Sequence, residues 1–246
     1  MSRRVVVTGG AKGIGLAIVH QFAALGDHVV ALGRDAGALA RIADGGAIET
    51  AVCDVTDEDT VTEVFAVLGE IDVLVNNAGI AESAPLSRTT LEAWRRHFDV
   101  NVTGPFLCTR AVVDGMRARG SGSIITVAST AGKVGVPYTS AYTASKHAAV
   151  GLMRAVAAEL AGTGVRVNAV CPTFVRTELT ARAVANIVEK TGRTPEQAEQ
   201  ALAKQTPLGR LLEPDEVAAA VMFLASDAAA AITGQALVID GGGAQG

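Results

Sequence analysis

The sequence has few of the features that mark secreted, metal-binding or membrane proteins. Its three cysteines, Cys53, Cys108 and Cys171, are widely spaced and form no Cys-x-x-Cys pair. We therefore expect no disulfide framework, no metal site and a cytoplasmic location with reduced thiols. No uncharged apolar run approaches the roughly 20 residues of a membrane span. The N-terminal residues MSRR run directly into a short apolar segment and do not resemble a signal peptide.

Positive charge is also scarce. The formal net charge is −4 and the isoelectric point is near 5.6, so the chain offers no basic face to a phosphate backbone or an anionic membrane. We therefore expect neither a nucleic-acid partner nor a membrane partner. With 49% hydrophobic and 19% charged residues among 246, the chain can bury a large core. We expect residues 1–246 to form a single domain.

Apolar and polar residues are distributed in a pattern that predicts a repeated strand–helix order. Short β-branched runs predict strands at Val5–Thr8, Val29–Leu32, Ile48–Cys53, Val73–Asn76, Ser123–Ala128, Val165–Val170 and Ala236–Asp240. Alanine- and leucine-rich segments between them predict helices, among them Gly15–Leu25, Leu91–Arg119 and Ala141–Leu160. This order predicts an α/β fold, a doubly wound (Rossmann) seven-stranded parallel sheet with helices on both faces. The charged, Gln-rich insert Thr177–Arg210 departs from the pattern, and we predict that it forms a lid over the substrate.

The first predicted strand leads into a glycine-rich loop, in which residues 8–15 read TGGAKGIG. Glycines at such a strand-to-helix turn let the backbone approach a pyrophosphate at the helix N-terminus. We therefore predict a dinucleotide site with loop contacts from Gly9, Lys12, Gly13, Ile14 and Gly15. The alternative is a glycine-rich turn without a ligand. A mononucleotide site is disfavoured, because no Gly-Lys-Ser/Thr follows the loop.

The end of the second predicted strand bears on which dinucleotide is bound. An NAD site expects a carboxylate there for the ribose hydroxyls, but the position holds Gly33, and Arg34 follows it. Arg34 and Lys12 are two cations that can converge on a 2′-phosphate, so the sequence favours NADP(H) over NAD(H). The alternative is that both cations are solvated and that Asp35 accepts the ribose of NAD.

A tyrosine and a lysine lie four residues apart in the predicted helix Ala141–Leu160. This spacing places Tyr142 and Lys146 on the same helix face. A nearby ammonium stabilises a phenolate, so we expect Lys146 to lower the pKa of Tyr142 and make it a usable acid or base.

Together, these motifs make the chain resemble the short-chain dehydrogenase/reductase family of NAD(P)-dependent oxidoreductases over nearly its whole length. The family's adenine-contacting pair matches Asp54 and Val55, and its Asn-Asn-Ala-Gly motif matches Asn76–Gly79. The resemblance implies further cofactor contacts at Asp54, Val55, Asn77, Ala78 and Gly79. It also implies a catalytic set that consists of Asn101, Ser129, Tyr142 and Lys146, of which the last two also contact the cofactor.

One departure from the family follows the sixth predicted strand. The family commonly has Pro-Gly there, whereas in this chain Pro172 is followed by Thr173. The resemblance implies nicotinamide contacts from Pro172, Val175 and Thr177. The substitution bears on the local backbone and on the shape of the reaction pocket, and it leaves the four catalytic positions untouched.

The resemblance implies an enzyme that interconverts a ketone and a secondary alcohol. In the reducing direction, Tyr142 would protonate the carbonyl oxygen that receives hydride at its carbon, and Ser129 would hold that oxygen. Lys146 would also bind the nicotinamide ribose, and Asn101 would hold a water that resupplies the proton through the lysine.

The general resemblance is to bacterial 3-oxoacyl thioester reductases and polyketide ketoreductases. A carrier-bound thioester could be received by a set of arginines, namely Arg88, Arg95, Arg96, Arg176 and Arg182. The alternatives are an NAD-dependent dehydrogenase of alcohols, polyols or steroids and, from a different class, a non-catalytic cofactor sensor, which the intact Tyr-Lys pair disfavours. Small residues in the long predicted helices permit close packing between subunits, and the resemblance implies a homotetramer, with a dimer as the alternative.

Overall fold

The computed structural model describes residues 2–43 and 45–244, and within them seven parallel strands form one sheet. The strands are β1 (Arg4–Thr8), β2 (His28–Gly33), β3 (Ile48–Val52), β4 (Val73–Asn76), β5 (Gly122–Val127), β6 (Val165–Pro172) and β7 (Ala236–Ile239). Their order across the sheet is β3-β2-β1-β4-β5-β6-β7. The order reverses between β1 and β4, and in such sheets ligands bind at this switch point, beyond the carboxyl ends of the strands.

Helices cover both faces of the sheet. Their bounds are α1 (Gly13–Ala24), α2 (Ala36–Ala40), α3 (Glu58–Leu68), α4 (Leu91–Phe98), α5 (Gly104–Arg119), α6 (Ser140–Glu159), α7 (Glu178–Thr191), α8 (Pro195–Ala203) and α9 (Pro214–Ala225). Alternate residues of a strand point to opposite faces, so Val5 and Val7 pack on the side of α1 and α9, while Val6 packs on the side of α3, α5 and α6. The predicted doubly wound fold is therefore confirmed.

Several predicted bounds are wrong by one or two residues. β3 ends at Val52 and not at Cys53, and β7 ends at Ile239 and not at Asp240. β5 is shifted by one residue to Gly122–Val127, and β6 continues past Val170 to Pro172, where it pairs with Ile239. Helix α1 starts two residues before the predicted Gly15, and α6 starts one residue before Ala141.

The predicted helical segment Leu91–Arg119 has the predicted ends, but it is distorted in its middle. A π-helical turn, Asp99–Thr103, separates α4 from α5, and Pro105 lies in the first turn of α5. Proline has no N–H and clashes with the preceding turn, so it is tolerated at a helix start and not within a continuous helix. The interruption places Asn101 in the π turn, a type of distortion that is frequent at functional sites.

The insert Thr177–Arg210 contains the two helices α7 and α8. Thr177 caps the start of α7, and Gly192, in the left-handed region, follows its last residue. Thr194 precedes α8 and caps it in a reciprocal capping box. The chain enters and leaves the insert at adjacent points, because Val175 and Leu212 form a parallel bridge. Among the described helices, none combines the length and the apolarity that a bilayer crossing requires.

Candidate active site

The glycine-rich loop between β1 and α1 is compact because side chains are excluded from it. Gly9 and Gly13 have φ values of 64° and 52°, which favour glycine. A Cβ on Gly15 would collide with the carbonyl oxygen of Gly9 and would lie 2.5 Å from Nδ2 of Asn77. The loop therefore brings bare backbone to the N-terminus of α1, which is the arrangement that a pyrophosphate requires.

The end of β1 is tied to the segment that follows β4. The Asn77 amide donates to the carbonyl oxygens of Thr8 (2.9 Å) and Gly9 (3.1 Å). In return, Oγ1 of Thr8 accepts from the backbone N–H groups of Asn77 and Ala78, each at 3.0 Å. These bonds fix the floor of the switch-point crevice. Sequence reasoning identified Asn77 and Ala78 and missed Thr8, although its place directly before the glycines is a usable signal.

Two cations lie at the rim of the crevice, and both are exposed. The ammonium of Lys12 lies 3.4 Å from a carboxylate oxygen of Asp35 and 3.7 Å from one of Glu178. A guanidinium nitrogen of Arg34 lies 3.7 Å from a carboxylate oxygen of Asp54, and the Arg34 side chain is 67% exposed. Exposed pairs of this kind are weak and are screened by salt, so both cations are free to change partners.

Asp35, the alternative ribose ligand, has another role in the structure. Its Oδ1 accepts from the backbone N–H of Ala38 at 2.9 Å and caps α2. That hydrogen bond, with a further contribution from Lys12, lowers the pKa of the Asp35 carboxyl. Because one carboxylate oxygen caps a helix and the other faces Lys12, the geometry disfavours Asp35 as a ribose ligand.

The predicted adenine contacts lie beyond the end of β3. The Asp54 carboxylate accepts from the N–H (3.0 Å) and the hydroxyl (2.8 Å) of Thr56, which closes a tight turn. The Val55 side chain is buried and packs against Gly104, where a Cβ would lie only 2.7 Å from a Val55 methyl. Val55 is therefore limited to contacts through its main chain.

Ser129 and Tyr142 meet beyond the end of β5. Ser129 is buried at the start of a single 3₁₀ turn, and its Oγ accepts from the N–H of Ala131 at 3.1 Å. Its side chain also lies beside the Tyr142 phenol. Burial raises the pKa of this phenol, and the polar Ser129 side chain partly opposes that rise. The predicted lowering of the Tyr142 pKa by Lys146 is not found, because desolvation is the larger effect.

Lys146 lies one turn below Tyr142 on α6 and is only 6% exposed. Its ammonium donates to the carbonyl oxygen of Val127 at 2.9 Å and lies 5.8 Å from the centroid of the Tyr142 ring. Burial disfavours the charged form and lowers the pKa of Lys146 to about 8.

Gly79 lies close to both Lys146 and Asn101. A Cβ placed on Gly79 would lie 3.2 Å from Oδ1 of Asn101 and 3.5 Å from the Lys146 ammonium. The fourth position of the Asn-Asn-Ala-Gly motif therefore keeps open a space that any side chain would fill. Together with the glycine loop, this space makes the residues present fit a nicotinamide dinucleotide.

The Asn101 side chain forms three hydrogen bonds with its surroundings. Its Oδ1 accepts from the N–H of Ile80 (2.9 Å), and its Nδ2 donates to the Ile80 carbonyl (3.0 Å) and to Oγ of Ser145 (2.9 Å). Ser145 in turn donates to the Tyr142 carbonyl at 2.8 Å. Ser145 is a residue that sequence reasoning missed, although it lies within the Tyr-x-x-x-Lys spacing.

The segment after β6 closes the crevice from the side of the insert. Pro172 is the last residue of β6, and the N–H of Thr173 continues the pairing by donating to the Ile239 carbonyl at 3.1 Å. The methyl of Thr177 would lie 3.1 Å from a Cβ on Gly13, which brings the start of α7 against the glycine loop. Threonine at position 173 is thus accommodated in regular strand-like backbone.

A buried histidine that no motif indicated lies behind Tyr142. His97 is 1% exposed, and its ring makes an edge-on contact with the Tyr142 ring at 6.4 Å between centroids. Its Nε2 accepts from the N–H of Glu82 at 3.1 Å, and its Nδ1 donates to the Ala93 carbonyl at 2.7 Å. The two partners define the neutral tautomer that carries its proton on Nδ1. A single histidine within a predicted helix carries no sequence signal of these contacts.

Comparison with known proteins agrees with this geometry. The profile of the family described as "Enoyl-(Acyl carrier protein) reductase" matches residues 9–243. The chain is 40% identical over 248 residues to a putative ketoacyl reductase of the granaticin polyketide synthase from Streptomyces violaceoruber, covering 96% of this chain and 91% of that protein. It is 43% identical over 244 residues to a galactitol 2-dehydrogenase from Cereibacter sphaeroides, covering 96% and 92%.

A solved structure is also similar to this chain. A variant of the actinorhodin polyketide ketoreductase with NADPH superposes with a TM-score of 0.95 at 35% identity, covering 100% of this chain and 98% of that one. The fold and the site thus define a dinucleotide-dependent oxidoreductase that interconverts ketones and alcohols. The chain belongs to the short-chain dehydrogenase/reductase family.

Proposed function

We propose that the protein is an NADPH-dependent reductase that converts a ketone of the 3-oxoacyl-thioester type to a secondary alcohol. Its catalytic residues are Asn101, Ser129, Tyr142 and Lys146. The observation that carries the proposal is the placement of the Tyr142 phenol beside the Ser129 side chain and the buried Lys146 ammonium, which lies 5.8 Å from the centroid of the Tyr142 ring. An acid, a hydroxyl that orients the substrate oxygen and a buried cation then share one pocket.

Tyr142 acts as the general acid in this reaction. Because burial raises the pKa of its phenol, the tyrosine stays protonated at neutral pH and is ready to protonate a carbonyl oxygen as negative charge develops on it. The Ser129 hydroxyl, which lies beside the phenol, holds the same oxygen. A bound nicotinamide dinucleotide supplies the hydride. The raised pKa favours the reducing direction, since oxidation needs the phenolate as a base.

Lys146 and Asn101 support the acid. With a pKa of about 8, Lys146 carries its charge at neutral pH and can exchange a proton near the working range. The ammonium stabilises negative charge on the Tyr142 oxygen after proton transfer and binds the nicotinamide ribose. Asn101 positions Ile80 and α6 through its three side-chain hydrogen bonds, and the main chain of its π turn holds the water that reloads Lys146.

Cofactor contacts are proposed around the crevice, from the glycine loop to the start of α7. They comprise Gly9, Lys12, Gly13, Ile14, Gly15, Arg34, Asp54, Val55, Asn77, Ala78, Gly79, Pro172, Val175 and Thr177, in addition to Tyr142 and Lys146. NADP(H) is favoured over NAD(H) because Gly33 offers no carboxylate and Asp35 caps α2. Arg34 and Lys12 are held only by weak pairs and can turn to a 2′-phosphate.

The substrate class divides between two groups of relatives, the ketoacyl reductases and the polyol dehydrogenases. Two of the five arginines considered for carrier binding are already neutralised. Arg96 pairs with Glu82 and Glu92, and Arg176 pairs with Glu199 and Glu213. Among the described residues, no ion pair involves the remaining three, Arg88, Arg95 and Arg182. Any carrier phosphate is therefore assigned to these three.

Residues 1–246 are proposed to act as one cytoplasmic domain that assembles as a homotetramer, with residues 177–210 as a lid. The lid is supported by two contacts across the crevice, from Asn186 to the Ser83 hydroxyl (3.1 Å) and from Glu178 to Lys12. Slower hydrogen exchange in α7 and α8 upon addition of NADPH and product would support a closing lid. Sedimentation at several concentrations tests the tetramer.

The function is tested by following reduced nicotinamide absorbance with four probes. These are the acetoacetyl thioester of N-acetylcysteamine, the matching crotonyl thioester, galactitol with NADP⁺, and galactitol with NAD⁺. We expect turnover of the acetoacetyl thioester with NADPH and little reduction of the crotonyl double bond. Faster oxidation of galactitol with NAD⁺ would contradict both the substrate class and the cofactor assignment, and would favour a polyol dehydrogenase.

A further inference from the structure

His97 lies at a junction of three parts of the active site. From α4, its ring reaches the loop that follows β4 through the Glu82 N–H, and it reaches α6 through the Tyr142 ring. Both ring nitrogens are used, and the side chain is almost completely buried. The ring also lines a cavity of about 260 Å³ together with Glu82, Ser83, Ala84 and Tyr138.

The loop that His97 holds borders the substrate cleft. The Ser83 hydroxyl of this loop accepts a hydrogen bond from the Asn186 side chain of α7. The N–H of Ala84 donates to the carbonyl oxygen of Tyr138 at 2.8 Å. Tyr138 has a φ of 65°, which is strained for a residue with a side chain. The loop thus connects the lid helix on one side with the segment before α6 on the other, and the Glu82 N–H anchors it to α4.

We propose that His97 is a positioning residue that does two separable things. Its Nε2 acceptor fixes the loop Glu82–Ala84 and so sets the width of the substrate cleft, which governs the KM of the ketone. Its ring edge fixes the rotamer of Tyr142, which governs the chemical step. The proposal rests on the proposed function, because it assigns Tyr142 as the acid.

The two roles can be separated because two replacements each keep one of them. His97→Phe keeps an aromatic edge against Tyr142 and leaves the Glu82 N–H, whose hydrogen bond to His97 is partly buried, without that acceptor. His97→Gln keeps an acceptor oxygen close to the position of Nε2 and removes the ring. His20→Phe, at an exposed position of α1, is the matched control for the same substitution elsewhere.

Steady-state kinetics with NADPH and the acetoacetyl thioester of N-acetylcysteamine measure the split. We expect His97→Phe to raise KM about fivefold or more with kcat within about threefold of the parent. His97→Gln should lower kcat about fivefold or more with KM within about threefold. The Kd for NADPH and all His20→Phe parameters should be unchanged. Parallel changes in kcat and KM in both variants, or no change in either, would overturn the proposal and leave His97 as a core residue only.

A second arm keeps the test decisive if His97→Phe does not fold. Glu82→Pro removes the same N–H from the donor side without altering the core, and Glu82→Ala removes only the carboxylate that pairs with Arg96. The proline variant should raise KM and the alanine variant should not; equal KM values would contradict the anchoring role.

The hydrogen bond itself is tested without turnover. The Glu82 amide should exchange slowly in the parent and in His97→Gln, and at least about tenfold faster in His97→Phe. An inactive parent whose Glu82 amide follows this pattern would contradict the proposed function and leave the anchor intact. Fast exchange in the parent would overturn the anchor alone.

Discussion

The catalytic cluster and the charged rim of the crevice are built from different kinds of contact. Ser129, Asn101 and Lys146 are buried, and their side chains have defined hydrogen-bond partners in the surrounding fold. At the rim, Lys12 and Arg34 are exposed and approach carboxylates at 3.4 to 3.7 Å in ion pairs that solvent screens. A buried polar group without a partner is costly, whereas an exposed ion pair contributes little.

This difference explains how far each region tolerates change. In the buried cluster, position and protonation state follow from packing, so altering one group affects the chemistry directly. At the rim, several arrangements have similar free energies, and an arriving anion selects among them. We therefore expect large effects of substitution in the cluster and small, salt-dependent effects at the rim.

Removal of the acid should have the largest effect. Tyr142→Phe keeps the ring against His97 and deletes the proton donor, so we expect kcat to fall by at least about 10²-fold with NADPH affinity nearly intact. Tyr138→Phe, which alters the other tyrosine at an exposed site, is the matched control and should retain kcat within about threefold. Turnover of Tyr142→Phe within a factor of two of the parent would show that another group supplies the proton.

The buried Lys146 ammonium should destabilise the folded protein, although the proposed reaction requires it. Lowering the pKa of Lys146 from its ordinary 10.5 to about 8 corresponds to about 3 kcal/mol against the charged form at neutral pH. Lys146→Met removes this penalty and leaves the Val127 carbonyl without its donor, which costs about 1 kcal/mol. We expect the variant to be inactive and more stable by about 2 kcal/mol at pH 7.

The pH dependence of this gain follows from the direction of the pKa change. Below pH 8, Lys146 is charged in both folded and unfolded states, so the full penalty is present. Between about pH 8 and 10.5 the folded state is neutral while the unfolded chain is still charged, and the penalty fades as pH rises. Urea unfolding of parent and variant at several pH values measures this. A stability difference that is constant from pH 7 to about 10 would contradict a depressed pKa.

The same contrast determines what could be predicted from the sequence. Strand positions and the Tyr142–Lys146 pair were recognisable, because burial imposes a hydrophobic period and a fixed helical spacing. The π turn between α4 and α5 was not predicted, although Pro105 was a signal of it, because the apolar pattern continues across the turn. The helices of the insert were also missed, although Thr194 and Gly192 are ordinary helix-end signals. His97 was beyond prediction, because its partners come from distant parts of the chain.

Substitution of the cations at the rim should have a smaller effect, which is a change in the preference for NADPH over NADH. We expect NADPH to bind on the order of 10²-fold more tightly than NADH, and Arg34→Ala to remove about tenfold of that preference. Arg117→Ala, at an exposed site in the last turn of α5, should have no effect. Fluorescence titration gives the Kd values of both cofactors at low and high salt. The preference for NADPH should be smaller at high salt. Equal Kd values for the two cofactors in the parent would show that the cations are ordinary surface charges.

The smallest effect should come from a carboxylate that competes with the cofactor. Glu178, the first residue of α7, lies 3.7 Å from the Lys12 ammonium and would have to release it to a 2′-phosphate. Glu178→Gln removes that competition, so NADPH affinity should rise about two- to threefold, the size expected of an exposed ion pair. NADH, which has no 2′-phosphate, should bind as before, and the NADPH gain should vanish in high salt. The matched control is Glu189→Gln near the other end of the same helix, which should change neither affinity. If the affinities for NADPH and NADH rise equally, the substitution acts by opening the insert, and Glu178 does not compete with the 2′-phosphate for Lys12.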